Sequence, residues 1–161
     1  MKTKGFIVIC YLITISCVSK QQKFIQAEFD KVIGTWKVQS YTYEGSVPDS
    51  LRTFIKPGEL LFEKCYYKQK DFSVCGGKID INGFIFNNVY EYDYSTKLFR
   101  FKGFGAYGDN PTALMFKTVR NSTLLLEGDW DLTVTENTLT AKQTKNANKI
   151  GGLVSYTAVR K

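Results

Sequence analysis

Four cysteines and one close pair of acids are the residues through which this chain could do chemistry. Histidine is absent from all 161 residues. That excludes Ser-His-Asp and Cys-His catalysis, His-ligated zinc and His-ligated haem. The acids are Asp129 and Asp131 in "GDWD". At strand spacing they share one face, about 7 Å apart, a separation that suits acid–base work. A solvated acidic patch is the plainer reading. "GFGAYG" precedes no expected helix, so it is not a phosphate-cradling loop. We therefore expect no enzymatic activity, no cofactor and no metal.

The cysteines divide by position. Cys10 lies within the apolar start of the chain and Cys17 closes "TISC". Cys65 and Cys75 sit in "LLFEKCYYKQ" and "KDFSVCGGK", which read as two strands of one hairpin. Facing positions there lie near disulfide distance, and closing so short a loop contributes about 2–3 kcal/mol. They are either a disulfide, if the compartment is oxidising, or two buried thiols. Cys-x9-Cys without histidine suits neither a redox motif nor zinc.

The compartment follows from "MKTKGFIVICYLITISC". Lys2 and Lys4 precede an apolar stretch from Gly5 to Ile15. It has export-signal length and falls short of the ~20 apolar residues of a bilayer span. "TISC" resembles a lipobox, in which cleavage before Cys17 leaves that cysteine to carry lipid. Thr14 stands where such boxes usually have leucine, and ordinary cleavage after Ser19 is the alternative. The expected organisation is a lipoprotein-type signal peptide over 1–16, a tether and short helical lead-in over 17–31, and one domain over 32–161. The location is the cell envelope, membrane-anchored, or secreted if Cys17 is not the anchor.

The elements that would position these residues are strands. Aromatics are abundant, with 12 Phe, 10 Tyr and 2 Trp, which suits pleated, half-buried surfaces. "GTWKVQSYTY" alternates, with Trp36, Val38, Ser40 and Thr42 on one face and Tyr41 on the other. Asn82-Gly83 marks a hairpin. "ALMFKTV", "STLLLEGDWDLTVT", "TLTAKQTK" and "LVSYTAVRK" read as further strands. About eight short strands with no long helix between them argue for an all-β, antiparallel up-and-down barrel, since closure removes the exposed edges. A two-sheet sandwich is the competitor. The net charge is +7, or +5 without Lys2 and Lys4. That is too modest for nucleic acid in an exported chain, and a monomer is expected.

"VIGTWKVQS" opens the first strand. Trp36 there can plug the barrel floor, with Gly34 letting the chain turn in. First and last strands of a closed meander are neighbours, so Arg160 could lie over the indole, a contact worth about 1 kcal/mol.

"IGTWKV" and the late arginine resemble the lipocalin superfamily, and more narrowly the lipocalin-like lipoproteins of Bacteroidetes-type bacteria, lipid-anchored proteins of the cell envelope or outer membrane. The likeness spans the mature chain in layout and Gly34, Trp36 and Arg160 in motif. It implies a barrel that holds a small apolar or aromatic ligand. Fatty-acid-binding proteins share the start, but "EGSVPDSLRTFIKPG" is too short for their helical lid. The expected lining is Phe62, Phe84, Phe86, Tyr90, Leu98, Phe116, Leu126 and Trp130, with Arg100 or tyrosine hydroxyls orienting the ligand. Alternatively, side chains fill the barrel, and Tyr41, Tyr43 and Tyr107 on the outside, with the loop "GFGAYGDNPT", meet a cell-surface partner.

Overall fold

The computed structural model describes residues 20–56, 58–67, 75–106 and 112–161, with backbone only at 104 and 106. The leader over 1–16, Cys17 and Tyr107 lie outside these residues. The strands are β1 (Gly34–Gly45), β2 (Glu59–Phe62), β3 (Cys75–Ile81), β4 (Phe84–Asp93), β5 (Leu98–Ala106), β6 (Gly128–Thr135), β7 (Thr138–Asn146) and β8 (Gly152–Arg160). They form one closed barrel in chain order, each antiparallel to the next, and β8 pairs back onto β1. Closure of the ring lets strands of up to 12 residues, rich in aromatics, coexist with little sheet border that invites pairing. β3 and β4 turn at Asn82-Gly83, where both residues have positive φ (56° and 80°), the geometry that Asn-Gly supplies cheaply.

Among the described residues, three helices accompany the barrel. Residues 20–32 form α1, whose Ile25, Phe29 and Val32 are buried at helical spacing. α2 (Asp49–Arg52) is a single turn. The segment around it buries Val47, Leu51 and Ile55 beside the half of β1 that short β2 does not pair. α3 (Ala113–Leu126) joins β5 to β6.

α3 corrects the strand reading of "ALMFKTV" and "STLLL". Thr112 caps it, its side chain accepting from the Met115 N–H. The inward stripe is Thr118, Ser122 and Leu125, at i, i+4 and i+7. Two of these are small and polar, so the apolar period of a buried helix is disguised. Their hydroxyls are spent on the helix itself, Thr118 on the Leu114 carbonyl and Ser122 on that of Thr118.

β1 corrects the second half of its own alternation. A bulge between Val38 and Ser40 shifts the register against β8. One extra residue exchanges the faces, so Ser40 and Thr42 turn outward while Tyr41 and Tyr43 pack against the core. These tyrosines are not the exposed aromatics expected.

Edge-to-face and tilted rings fill the lumen. Phe29 of α1 meets Tyr90, Tyr90 meets Phe62, and Phe62 meets Phe101, with centroids 5.9, 5.2 and 5.9 Å apart. The chain continues through Trp130 and Tyr156 to Tyr41 at 6.1, 5.4 and 5.9 Å. Each such pair adds about 0.5–1.5 kcal/mol beyond area burial.

Candidate functional site: a capped cavity beneath α3

The barrel is closed at both ends by the same local device. At the base, Trp36 donates its indole N–H to the carbonyl of Val32, the last residue of α1, at 2.7 Å. Arg160 stacks on the outer side of that ring, its guanidinium carbon 4.3 Å from the centroid. It also donates to the Ile33 and Lys31 carbonyls at 3.0 and 3.3 Å. A cation at a helix C-terminus meets the negative end of the helix dipole. Gly34 has φ +121°, and a Cβ there would stand 3.1 Å from the Arg160 Nη1. The chain turn thus favours glycine, and a Cβ would also crowd the arginine.

At the opposite end, Trp130 donates to the Leu126 carbonyl at 3.0 Å, and Gly128 has φ +146°. β7 and the turn after it secure the other terminal carbonyls of α3. Gln143 donates to Leu125, Asn146 to Leu124 and Leu125, and Asn148 to Thr123. The carbonyls that a helix end leaves without partners are therefore met by side chains.

Between these closures lies a half-open pocket with room of about 20 Å³. Tyr41, Phe101, Trp130 and Tyr156 supply ring walls, Leu60, Ile79 and Leu126 supply aliphatic ones, and Asn88 supplies the amide. Asn88 is 8 % exposed, and its Oδ1 has no hydrogen-bond partner. It sits opposite Gly77 across β3 and β4. A Cβ on Gly77 would stand 2.7 Å from that oxygen, so the missing side chain makes the room. An unmade hydrogen bond on a buried carbonyl costs about 1–3 kcal/mol.

Burial holds the phenols nearby in their neutral form. The Tyr156 hydroxyl is raised well above the usual tyrosine range by loss of solvent, then by Tyr41 beside it. Tyr41 is raised by burial and then by Tyr43. The cavity therefore presents neutral groups and an apolar wall, with no ionised side chain among its lining residues.

Of the expected lining, Trp130 and Leu126 border this cavity. Phe62, Phe86 and Tyr90 are buried in the core and do not line it, and Phe84 is half-buried against Phe86. Leu98 is half-buried, and its neighbour Phe99 is the residue that turns in. Phe116 is corrected: it stands on α3 facing out, 61 % exposed. Arg100 is corrected too, because it lies on the outer wall between Asp129 and Glu91 at 2.6 and 3.4 Å. Asp129 is thereby a salt-bridge partner, with Asp131 exposed beside it. Leu60, Ile79, Asn88, Phe101 and Tyr156 are lining residues that the sequence did not single out, and Tyr41 was expected on the outside. Asn88 had a signal, since Phe84, Phe86, Asn88 and Tyr90 follow one alternation.

Cys65 and Cys75 form a disulfide with Cα atoms 5.4 Å apart. It lies under α1, where Gln26 donates to the Cys65 carbonyl and accepts from the Tyr67 N–H. A disulfide is characteristic of compartments outside the reducing cytosol. Among the described residues no group of three or more acids or cysteines is placed to hold a metal ion. No described helix is long and apolar enough to cross a membrane.

A closed eight-stranded antiparallel up-and-down barrel with a buried aromatic interior is consistent with a lipocalin- or calycin-like fold. No protein-family model, curated protein or solved structure matches this chain.

Proposed function

We propose that this is an exported, lipid-anchored, lipocalin-like protein that binds a small aromatic or apolar molecule beneath α3. The ligand carries one hydrogen-bond donor, which meets Asn88. The observation that carries this reading is the unpartnered, buried Oδ1 of Asn88 within a wall of four aromatic rings. An apolar wall with a single orienting polar group is the lining chemistry of a small-molecule site. The space is about 20 Å³, enough for one water. A ring-sized ligand needs more room than this, so binding one requires lining side chains such as Leu126 to move. Cys17 supplies the anchor, and the disulfide supports export.

The small volume and the closure of both ends favour a second reading, a side-chain-filled barrel that serves as a cell-surface interaction module. Native mass spectrometry of the exported protein, followed by organic extraction, separates the two. The first reading expects a small-molecule adduct that is lost on extraction. A bare polypeptide mass in repeated preparations supports the second.

A further inference from the structure

The base of the barrel carries a surface that neither the ring core nor the cavity uses. Phe24 projects from the first turns of α1, 41 % exposed, and packs edge-on against Tyr94, itself 40 % exposed, at 5.5 Å. Lys97 lies over both rings, its Nζ 3.2 Å from the Tyr94 centroid and 4.5 Å from that of Phe24. Lys20 and Lys23 are exposed on the same helix. Of the acids close by, exposed Asp131 faces Tyr92, and two others are engaged locally. Asp93 accepts from the N–H and hydroxyl of Ser95 and from the Thr96 N–H, and Glu28 pairs with Lys31.

Where this surface sits relative to a lipid on Cys17 follows from chain length. Only Val18 and Ser19 separate Cys17 from Lys20, the first described helical residue. Three residue steps reach at most about 11 Å. Phe24 lies a further four residues along the helix, about 6 Å of axial rise. An anchor at Cys17 therefore holds α1 and the base of the barrel beside the bilayer, rather than letting the domain swing on a long tether.

We propose that this face docks on an anionic bilayer, with Phe24 and Tyr94 at headgroup level and Lys20, Lys23 and Lys97 against lipid phosphates. The proposal rests on Cys17 being the lipid anchor. Its chemistry is that of interfacial anchoring: a tyrosine ring sits at the headgroup boundary, an apolar ring such as phenylalanine enters it, and lysines near the surface are attracted by anionic lipid. Lys97 serves both roles, since its charge is held over the rings that enter the boundary. Docking also fixes the polarity of the molecule, placing α3 and the cavity on the side away from the membrane.

The test uses the full chain, lipidated in a bacterial host with labelled palmitate and reconstituted into phosphatidylethanolamine–phosphatidylglycerol vesicles with brominated or plain acyl chains. Phe24→Trp places an indole on the proposed face. Ala147→Trp places one at the exposed turn beyond β7, at the far end of the barrel. Both are first matched to wild type by thermal melting, and the emission of buried Trp36 and Trp130 is subtracted. The expected result is emission from Phe24→Trp that is about twofold or more lower on brominated vesicles, with Ala147→Trp unchanged. Palmitate label with Phe24→Trp equally bright on both vesicles overturns the docking alone, and leaves the face to a protein partner or a second copy. Absence of label in wild type overturns the anchor and the docking together.

Discussion

Trp36 and Trp130 hold the same position relative to a helix end at opposite ends of the barrel. Each follows a positive-φ glycine by two residues, and each donates its indole N–H to the carbonyl four residues before it, Val32 or Leu126. "GTW" and "GDW" are thus one device used twice. A helix runs in, its last carbonyl is taken by an indole, and the strand departs from a conformation that suits glycine. The two copies differ in one respect. The first is roofed by Arg160, and the second is tied down by Gln143 and Asn146.

Arg160 joins three elements, α1, β1 and β8, so its removal is felt at the whole base. Arg160→Ala is expected to lower unfolding free energy by about 1–2 kcal/mol, combining the stacking contact with loss of the helix-end charge. Urea denaturation measures this. Arg160→Lys recovers only part, because an ammonium cannot stack its plane on the ring while reaching both carbonyls. Gly34→Ala is expected to cost about 1–3 kcal/mol by backbone strain, with the added Cβ against the same guanidinium.

Reduction of Cys65–Cys75 is expected to cost about 2–3 kcal/mol, the closure entropy of a short loop. The bridge sits beneath α1, so loss of order is expected first at the base. Hydrogen exchange with and without reductant checks this. Faster exchange confined to the α3 end would contradict it.

Alkali probes the buried phenols. Burial, then the charge of Glu28, pushes the Tyr92 hydroxyl up to about 12 from 10.0. Tyr90, Tyr41 and Tyr156 are also raised, in each case chiefly by burial. A phenol whose folded pKa exceeds its unfolded value favours the folded state below the unfolded pKa. That stability is lost as pH rises through the folded value, because the unfolded chain releases its protons first. The protein is therefore expected to hold constant stability up to about pH 10 and to lose it steeply above. Phenolate absorbance and circular dichroism recorded together should show these tyrosines ionising only as the fold is lost.

The closed ring was legible because strict alternation over β7 and β8 and the Asn82-Gly83 turn leave few ways to satisfy an antiparallel meander. Trp36 and Arg160 could be placed together for the same reason, since closure makes the first and last strands neighbours. Three features were hidden, each with its own cause. The bulge in β1 adds one residue and reverses Tyr41 and Tyr43, which period counting cannot detect. α3 buries Thr118 and Ser122 where a helix usually buries leucines, so its stripe looked polar and its Val119 and Phe116 looked β-like. Asn88 was passed over because a lone polar residue among Phe84, Phe86 and Tyr90 reads as an interruption of the inward face. It is a member of that face.

Asn88 is where the ligand reading stands or fails. Titrating small phenols and indoles while following Trp130 fluorescence, in wild type and in Asn88→Leu, tests it directly. Trp130 lines the cavity, so a ligand there changes its emission. The expected result is saturable binding in wild type, about tenfold weaker in Asn88→Leu, the equivalent of one lost hydrogen bond at about 1.4 kcal/mol. The variant alone should be more stable by about 1 kcal/mol, because the buried oxygen without a partner is gone. Emission that no phenol or indole alters in either protein would contradict a ligand site beneath α3.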